Sequence, residues 1–310
     1  MFLRVIILIL SFLCNFEESK ITTGAPYFDD NEFVPRVVNG WPAKLGDVPY
    51  QVGFKKEIPR QKIYMTFCGG VIIAHTKLLS AAHCFANDPN FCQRLCGSQG
   101  SKRTVSHVYA VAGNLRNRDY YGADSPESGQ WRMVKTVTYP KTYKFPKDDI
   151  AVLFTTMPFI YNTHVNAIPF ASRFADYHGK CLVSGYGRIS KSSTSSKLLL
   201  AHLDLIPIRT CNRMFRKNMR KFVCTSSRLT DVGKGDSGGP LVCMNTGDPN
   251  EKAGQGILVG IVSGHRYHTG SFFTRVSYFY RYIEKNKSCQ ICLAREATCF
   301  LILIYTLLLF

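Results

Sequence analysis

The sequence predicts an all-β fold built from many short antiparallel strands, as found in sandwiches and barrels. Glycine and proline interrupt the chain at short intervals, and the segments between them, such as 71–73 and 257–262, are short and rich in β-branched residues. The 310 residues are 45 % hydrophobic and 13 % aromatic, which is enough for one large or two small domains with packed cores. This composition excludes an intrinsically disordered chain.

The start of the chain is typical of a secretory signal peptide. Arg4 precedes the apolar run 5–14, and polar residues follow up to Lys20. A run of this length is too short to cross a bilayer as a helix, which takes about 20 residues. We predict a signal peptide over residues 1–19, a propeptide over 20–36 and an extracellular mature protein. The alternative for the apolar run is a membrane anchor or a buried core helix.

Cysteine content and charge limit the function further. Twelve cysteines in a chain sent to an oxidising compartment indicate disulfides rather than free thiols or a metal cluster. The net charge of +18 would attract polyanions. One segment concentrates this charge, and it is either a solvated face or a site for a heparin-like polyanion. Nucleic acid is not expected as a partner, because aromatic residues are not interleaved with these cations. The cations are Arg209, Arg213, Arg216, Lys217, Arg220, Lys221 and Arg228.

Two motifs each place a polar side chain beside an apolar run. Leu-Ser-Ala-Ala-His-Cys at 79–84 presents His83 at the end of a predicted strand, although a lone histidine there is more often structural. Asp-Asp-Ile-Ala-Val-Leu at 148–153 places Asp149 directly before a run that we expect to be buried. A carboxylate carried inward needs a hydrogen-bond partner, and an imidazole N–H is a suitable one. Asp148 is expected to point to solvent.

The most specific motif is Gly-Asp-Ser-Gly-Gly-Pro at 235–240. Glycines around Ser237 allow backbone N–H groups to converge and leave room for a substrate carbonyl, as an oxyanion hole requires. The alternative is a glycine-rich turn, which the histidine, aspartate, serine order of the three motifs disfavours. Together the motifs supply a base, an acid that orients it and a nucleophile.

From about residue 37 to 285 the chain resembles the trypsin/chymotrypsin-like serine proteases. The resemblance implies two packed six-stranded antiparallel β-barrels, the first over about 37–160 and the second over about 161–275, with a C-terminal helix near 277–285. The first barrel would carry His83 and Asp149, and the second would carry Ser237.

The resemblance also implies a role for each site residue. His83 is the general base and later acid, Asp149 orients it, and Ser237 attacks the scissile carbonyl. Backbone amides of Gly235 and Ser237 hold the oxyanion. Ser263 supports the buried aspartate and lines the substrate channel.

An activation site follows from the same resemblance. Cleavage between Arg36 and Val37 by another protease would free a new amino terminus, which would fold inward and pair with Asp236. Neither the buried ammonium nor the buried carboxylate is stable without such a partner. We therefore expect an inactive precursor whose oxyanion hole forms after cleavage.

The specificity pocket departs from the family pattern. Asp231 matches the acid that selects Arg or Lys side chains in trypsin-like members. Gly233 replaces a pocket cysteine, Gly264 stands where an aromatic residue is usual, and the register of His265 is open. Ser271 aligns with a pocket-wall glycine, where its side chain would shorten the pocket or bond Asp231. The resemblance gives a preference for Arg or Lys, with small or apolar residues as the alternative.

Disulfide pairings and ligands are also implied by the resemblance. Cys92 and Cys96 lie in an insertion, where mutual pairing is the simplest expectation. The family's calcium-loop acids are not recognisable around 119–127, so we expect neither a metal nor a cofactor. The three family-type bridges expected are Cys68 to Cys84, Cys181 to Cys243 and Cys211 to Cys224.

The C-terminal tail, residues 286–310, ends in a mainly apolar run from Cys299. Twelve residues of helix cover about 18 Å, well short of the hydrocarbon core. Together with a polar spacer and small residues near Ser288, this run fits a signal for a GPI lipid anchor at the cell surface. A segment that packs on the fold or is poorly ordered is the alternative.

These observations predict a secreted serine endopeptidase that hydrolyses protein or peptide substrates. Two other classes remain open at this point. A non-catalytic homologue would bind partners through the same cleft, and a basic adhesion protein would use the fold only as a scaffold. The complete set of three motifs favours the enzyme.

Overall fold

The computed structural model describes residues 40–86, 92–94, 101–104, 107–188, 193–226, 232–233, 235–266 and 269–286. For 92–94 and 101–104 only the backbone is described. The predicted signal peptide, propeptide and C-terminal tail lie outside these residues, apart from Asn286.

The described residues contain sixteen strands. All pairings between these strands are antiparallel, as the sequence predicts. In chain order the strands are β1 (Trp41–Pro42), β2 (Gln51–Glu57), β3 (Ile63–Ala74), β4 (Lys77–Ser80), β5 (Cys92–Arg94), β6 (Ser101–Thr104), β7 (Val108–Ala112), β8 (Arg118–Tyr120), β9 (Gln130–Tyr139), β10 (Ala151–Thr155), β11 (Gly179–Gly185), β12 (Leu199–Ile206), β13 (Phe222–Thr225), β14 (Pro240–Cys243), β15 (Ile257–Arg266) and β16 (Gly270–Arg275).

The first barrel closes through six strands in the order β10, β4, β3, β2, β7 and β9, with β9 pairing back to β10. Strands β5 and β6 extend the sheet beyond β9, and β8 pairs with β3. The interior is filled by wholly buried apolar side chains such as Val52, Phe54, Leu78, Val134 and Leu153. Burial of this kind contributes roughly 1.5–3 kcal/mol per large side chain.

The second barrel also closes through six strands, in the order β12, β11, β14, β15, β16 and β13, with β13 pairing back to β12. The short strand β1 joins its edge at β12, so the N-terminal described segment attaches to the second barrel. Val183, Leu203, Leu241, Val259 and Phe273 belong to its core. The prediction of two six-stranded antiparallel barrels is confirmed.

A third apolar cluster joins the two barrels. Leu79 and Val152 from the first barrel share it with Leu258 and Ile261 from the second. Ile283 of the C-terminal helix belongs to the same cluster and is fully buried. Because this cluster lies between the strands that carry the predicted site residues, it fixes the distance between the two halves of the site.

In the described part of the chain, three short helices accompany the barrels: α1 (His83–Ala86), α2 (Ile208–Phe215) and α3 (Tyr280–Lys285), the last preceded by a 3₁₀ turn over Val276–Phe279. The predicted C-terminal helix is therefore confirmed. Helix α2 begins after Pro207 and ends at Arg216, whose φ of 51° is left-handed. Lys77 donates to the carbonyl of Ile283 at 2.6 Å, which places a cation at the C-terminal end of α3. Among the described helices, none has the length and apolar character needed to cross a membrane.

The structure contains the three disulfides that the resemblance implies. They join Cys68 to Cys84, Cys181 to Cys243 and Cys211 to Cys224. The first crosses from β3 to α1, directly beside His83. The predicted bond between Cys92 and Cys96 involves side chains outside the described residues.

A buried lysine contacts the loop next to residues 119–127, the segment in which the family's calcium-binding acids are not recognisable. Lys55 is fully buried and donates to the carbonyl of Arg116 at 2.7 Å. Burial lowers its pKa to about 8, and the charge of Asp119 opposes that shift. Asp119 also accepts a hydrogen bond from the Asn114 amide at 2.7 Å. An internal cation therefore helps to anchor the loop.

Candidate active site

His83 and Asp149 meet because their strands are neighbours. Strand β4 leads into His83, Asp149 lies just before β10, and Ser80 is paired with Ala151 across the two strands. The His83 Nδ1 atom lies 2.8 Å from Asp149 Oδ2, and the His83 backbone N–H donates to Oδ1 at 2.9 Å. An ionised carboxylate only accepts hydrogen bonds, so Nδ1 carries a proton, and in the neutral imidazole the lone pair is therefore on Nε2.

Asp149 is fully buried, whereas the His83 side chain is 24 % exposed. The second barrel holds this aspartate from the other side. Ser263 Oγ donates to Asp149 Oδ2 at 2.6 Å, and Thr274 Oγ1 donates to the Asp149 backbone carbonyl at 2.7 Å. Three hydrogen bonds from His83 and Ser263 therefore offset the cost of burying the charge, and the bond from Thr274 helps to hold the backbone of Asp149 in place.

The segment around Ser237 is pressed against the first barrel. Gly69 of β3 donates its N–H to the carbonyl of Ser237 at 2.8 Å. A Cβ atom at Gly238 would lie 2.2 Å from Ser80 Oγ, and Gly238 has a left-handed φ of 79°. Only glycine allows this approach. The structure thus brings the half-buried Ser237 beside the end of β4, three residues before His83.

The buried carboxylate of Asp236 shapes the turn that precedes Ser237. It accepts hydrogen bonds from the backbone N–H groups of Gly187 at 2.7 Å and Gly233 at 2.8 Å. A Cβ atom at Gly185 or Gly187 would lie 2.0 or 2.2 Å from its oxygen atoms. The Gly-Tyr-Gly sequence at 185–187 was not singled out in the sequence, although two glycines around one aromatic residue are a usable signal for a close backbone approach.

A sequence model of the trypsin family, described as "Trypsin", matches residues 37–283. This chain belongs to the trypsin family of serine proteases.

Relatives agree with this assignment at low identity. Transmembrane protease serine 7 of Mus musculus is 28 % identical over 269 residues, which are 82 % of this chain and 29 % of that protein. The venom peptide isomerase heavy chain of Agelenopsis aperta is 25 % identical over 267 residues, covering 81 % of this chain and 99 % of its own length. Ovochymase of Halocynthia roretzi is 28 % identical over 244 residues, 74 % of this chain and 14 % of that protein. The chain spans less than a third of the transmembrane protease.

At the predicted specificity pocket, side chains are in contact across β15 and β16. His265 is paired with Ser271, which settles the register that the sequence left open. Ser271 is fully buried, and its Oγ lies 3.4 Å from His265 Nδ1. Gly264 faces Phe272, and a Cβ atom on Gly264 would lie 2.5 Å from the Phe272 ring. The position of Asp231 lies outside the described residues.

Asp148 is not exposed to solvent, so that expectation is wrong. Its carboxylate is buried, accepts from Thr142 Oγ1 at 2.6 Å and pairs with Lys221 Nζ at 2.5 Å. The physical reason is that Thr142 and Lys221 supply a hydrogen-bond donor and a cation, which offset the cost of burying its charge. Burial lowers the pKa of Lys221, but the hydrogen bond and charge of Asp148 outweigh this and raise it.

Two aromatic residues lie near the His83 and Asp149 pair. Phe145 packs edge-on against the His83 ring, with ring centres 5.5 Å apart. Burial raises the pKa of Tyr143, and the nearby Asp149 charge raises it further. Tyr143 therefore stays a neutral phenol near the carboxylate at physiological pH.

The remaining predicted site residues divide into two groups. Cys68 and Cys84 lie close enough to His83 to suggest a metal site, but the two sulfur atoms are joined in a disulfide and do not fit a metal ion. Arg36 and Val37 lie outside the described residues, as does Arg228 of the basic segment.

Proposed function

We propose that this chain is a secreted serine endopeptidase that acts through an acyl-enzyme on Ser237. The observation that carries the proposal is the 2.8 Å contact between His83 Nδ1 and a fully buried Asp149 carboxylate. Burying a carboxylate costs free energy on folding. A carboxylate that fixes one imidazole tautomer leaves the other ring nitrogen available as a general base.

In the proposed mechanism, Asp149 holds the Nδ1 proton so that Nε2 of His83 takes the proton of Ser237 Oγ. The serine oxygen attacks the scissile carbonyl, and the resulting oxyanion is held by the backbone N–H groups of Gly235 and Ser237. His83 then gives its proton to the leaving amine. Water enters, loses a proton to His83 and hydrolyses the ester, which restores Ser237.

We further propose that the enzyme is made as a precursor, cut by another protease between Arg36 and Val37. The new ammonium group of Val37 would join Asp236, whose carboxylate already organises the turn through Gly187 and Gly233. The buried position of Asp236 supports this proposal, since an added cation there gains strong charge pairing.

For specificity we propose cleavage after Arg or Lys, with Asp231 as the selecting acid. The contact between His265 and the buried Ser271 supports a shortened pocket in which part of the usual depth is filled. The same contact favours the second candidate, a non-catalytic homologue that binds partners through the cleft.

Two partner predictions remain proposals of lower rank. The basic segment would bind a polyanion at the surface, and the apolar tail would direct attachment of a lipid anchor. Neither is needed for the peptidase proposal.

The deciding experiment uses recombinant precursor, cut after Arg36, with peptide substrates that carry Arg, Lys, Phe or Ala before the scissile bond. The Ser237→Ala variant is the control. We expect turnover that requires Ser237 and is fastest with Arg or Lys. If the Ser237→Ala variant turned over substrate as fast as the unaltered enzyme, the proposed mechanism would be wrong. If all four substrates were cleaved at similar rates, the role proposed for Asp231 would be wrong.

A further inference from the structure

A cavity of about 740 Å³ lies beside the predicted catalytic cleft and takes no part in the mechanism above. Its floor is apolar and consists of Phe215, Met219, Phe222 and Phe272. Phe272 packs edge-on against Phe215 and Phe222, with ring centres 5.7 and 5.4 Å apart. The same cluster contains Cys211 and Cys224, which are joined in a disulfide. The floor is therefore rigid and preformed.

The rim of this cavity is cationic. Four exposed cationic side chains line it: Lys147, Lys217, Arg220 and Arg266. Within the described part of the chain these four side chains form no ion pair, whereas Lys221, the fifth cation, is neutralised by Asp148. Among the described residues that line the cavity, none is acidic. An apolar floor under four unpaired cations is complementary to an anion that carries an apolar group.

The cavity opens next to the reacting groups. Phe145 touches the ring of His83, and the following residue, Pro146, forms part of the cavity wall. The wall therefore begins one residue away from a side chain that contacts the imidazole. On the other side, Phe272 of the floor covers Gly264, the residue after Ser263. An extended peptide advances about 3.3 Å per residue. An extended substrate that passes Ser263 would therefore reach the cavity within a few residues of the scissile bond.

We propose that this cavity binds an acidic segment of a polypeptide substrate, with one aromatic or large aliphatic side chain on the floor and flanking carboxylates at the rim. The proposal rests on the proposed peptidase function for the source of the segment. A plain polyanion would use the cations but leave the floor empty, and a neutral apolar peptide would use the floor alone. The combination distinguishes this site from the surface polyanion site suggested by the basic segment.

The test measures binding on the full-length chain carrying Ser237→Ala, so that no turnover is needed. The probe is a fluorescein-labelled, N-acetylated peptide Asp-Glu-Phe-Asp-Glu, followed by fluorescence anisotropy at 0.15 M salt. Matched probes replace Phe by Ala, or the acids by Ser and Gln. We expect the complete probe to bind at least about tenfold more tightly than either matched probe. If either matched probe bound as tightly as the complete probe, the proposal would be overturned. It would also be overturned if a sulfated oligosaccharide bound at least as tightly as the complete probe and displaced it.

Charge reversal locates the site. Lys217→Glu combined with Arg266→Glu changes two exposed rim residues and should weaken probe binding about tenfold. The control combines Lys135→Glu with Lys252→Glu, two exposed lysines outside the cavity, and changes the net charge equally. Since fields are screened over about 8 Å at this salt, the control should bind within about twofold of the parent. Equal losses in both variants would mean that only the overall charge attracts the peptide.

Failure of this proposal is separable from failure of the peptidase proposal. If the cut wild-type chain turns over no peptide while the Ser237→Ala chain binds the probe as expected, the cavity stands and the reaction does not. If turnover is observed but the complete probe binds no more tightly than the probes that lack Phe or the acids, the reaction stands and the cavity assignment is wrong.

Discussion

The hydrogen bond from Ser263 to Asp149 gives the sharpest test of the site. Ser263→Ala removes a hydroxyl that donates to Asp149 Oδ2 at 2.6 Å, inside a region where Asp149 has no exposed surface. The carboxylate keeps its two hydrogen bonds from His83, so its position is retained while part of its charge stabilisation is lost. A hydrogen bond to a charged group contributes roughly 1.5–3 kcal/mol.

Both stability and catalysis should report this loss. We expect the free energy of unfolding to fall by about 2 kcal/mol. If about half of that loss, about 1 kcal/mol, is felt when the imidazolium forms in the transition state, kcat falls about fivefold, since about 1.4 kcal/mol corresponds to a factor of ten. KM should change little because Ser263 Oγ is bonded to Asp149. Urea unfolding and steady-state kinetics with one peptide substrate measure the two effects.

Thr274→Val is the matched control. Thr274 Oγ1 donates to the backbone carbonyl of the same Asp149 at 2.7 Å, so the variant removes one hydrogen bond to this residue but none to its carboxylate. We expect a loss of about 1 kcal/mol in stability and a kcat within about twofold of wild type. If both variants lost kcat equally, or if Ser263→Ala kept full kcat, the argument that the carboxylate is stabilised for catalysis would be refuted.

Three further predictions test other parts of the fold. Burial lowers the pKa of Lys55 to about 8, so above that pH the unfolded chain binds more protons than the folded chain, and the free energy of unfolding rises with pH. Relative to Lys55→Met, urea unfolding should show a rise of about 2 kcal/mol between pH 7.5 and 9.5. The same pH dependence in both proteins would contradict this prediction. Lys221→Met leaves the buried Asp148 without its cation and should lower the free energy of unfolding by about 2 kcal/mol, while an unchanged urea midpoint would show that the pair is dispensable. Gly187→Ala places a methyl group about 2.2 Å from the Asp236 carboxylate and should reduce kcat/KM at least about a hundredfold, and activity near wild type would disprove the role of this close approach.

Much of the fold was predictable because its determinants are local. Short β-branched segments between glycines and prolines indicated antiparallel strands, and the motifs around His83, Asp149 and Ser237 indicated which family arranges such strands as two barrels. Details that depend on pairing between distant strands were not predictable in this way. The attachment of β1 to the second barrel is one example, because two residues carry no pattern of their own.

The site shows the same division between local and distant information. A run such as 148–153 tells that an acid is carried inward, but it does not tell which of two adjacent acids is buried. Both are, because Lys221, more than 70 positions away in the chain, supplies a cation to Asp148. In the same way the sequence identified Gly264 as a departure, but only the fold shows that Phe272 lies over it.

The adjacent acids Asp148 and Asp149 link the two barrels. Both precede β10 of the first barrel, and each is bonded by a side chain of the second, Lys221 for one and Ser263 for the other. In the first barrel alone, Asp148 would keep its hydrogen bond from Thr142 and Asp149 would keep its hydrogen bonds from His83. Each carboxylate would lose its bond from the second barrel. Packing of the barrels therefore stabilises the same carboxylate that orients the histidine. It follows that the proposed catalytic geometry forms together with the interface between the barrels, so a variant that loosens this interface should lose the expected peptidase activity before either barrel unfolds.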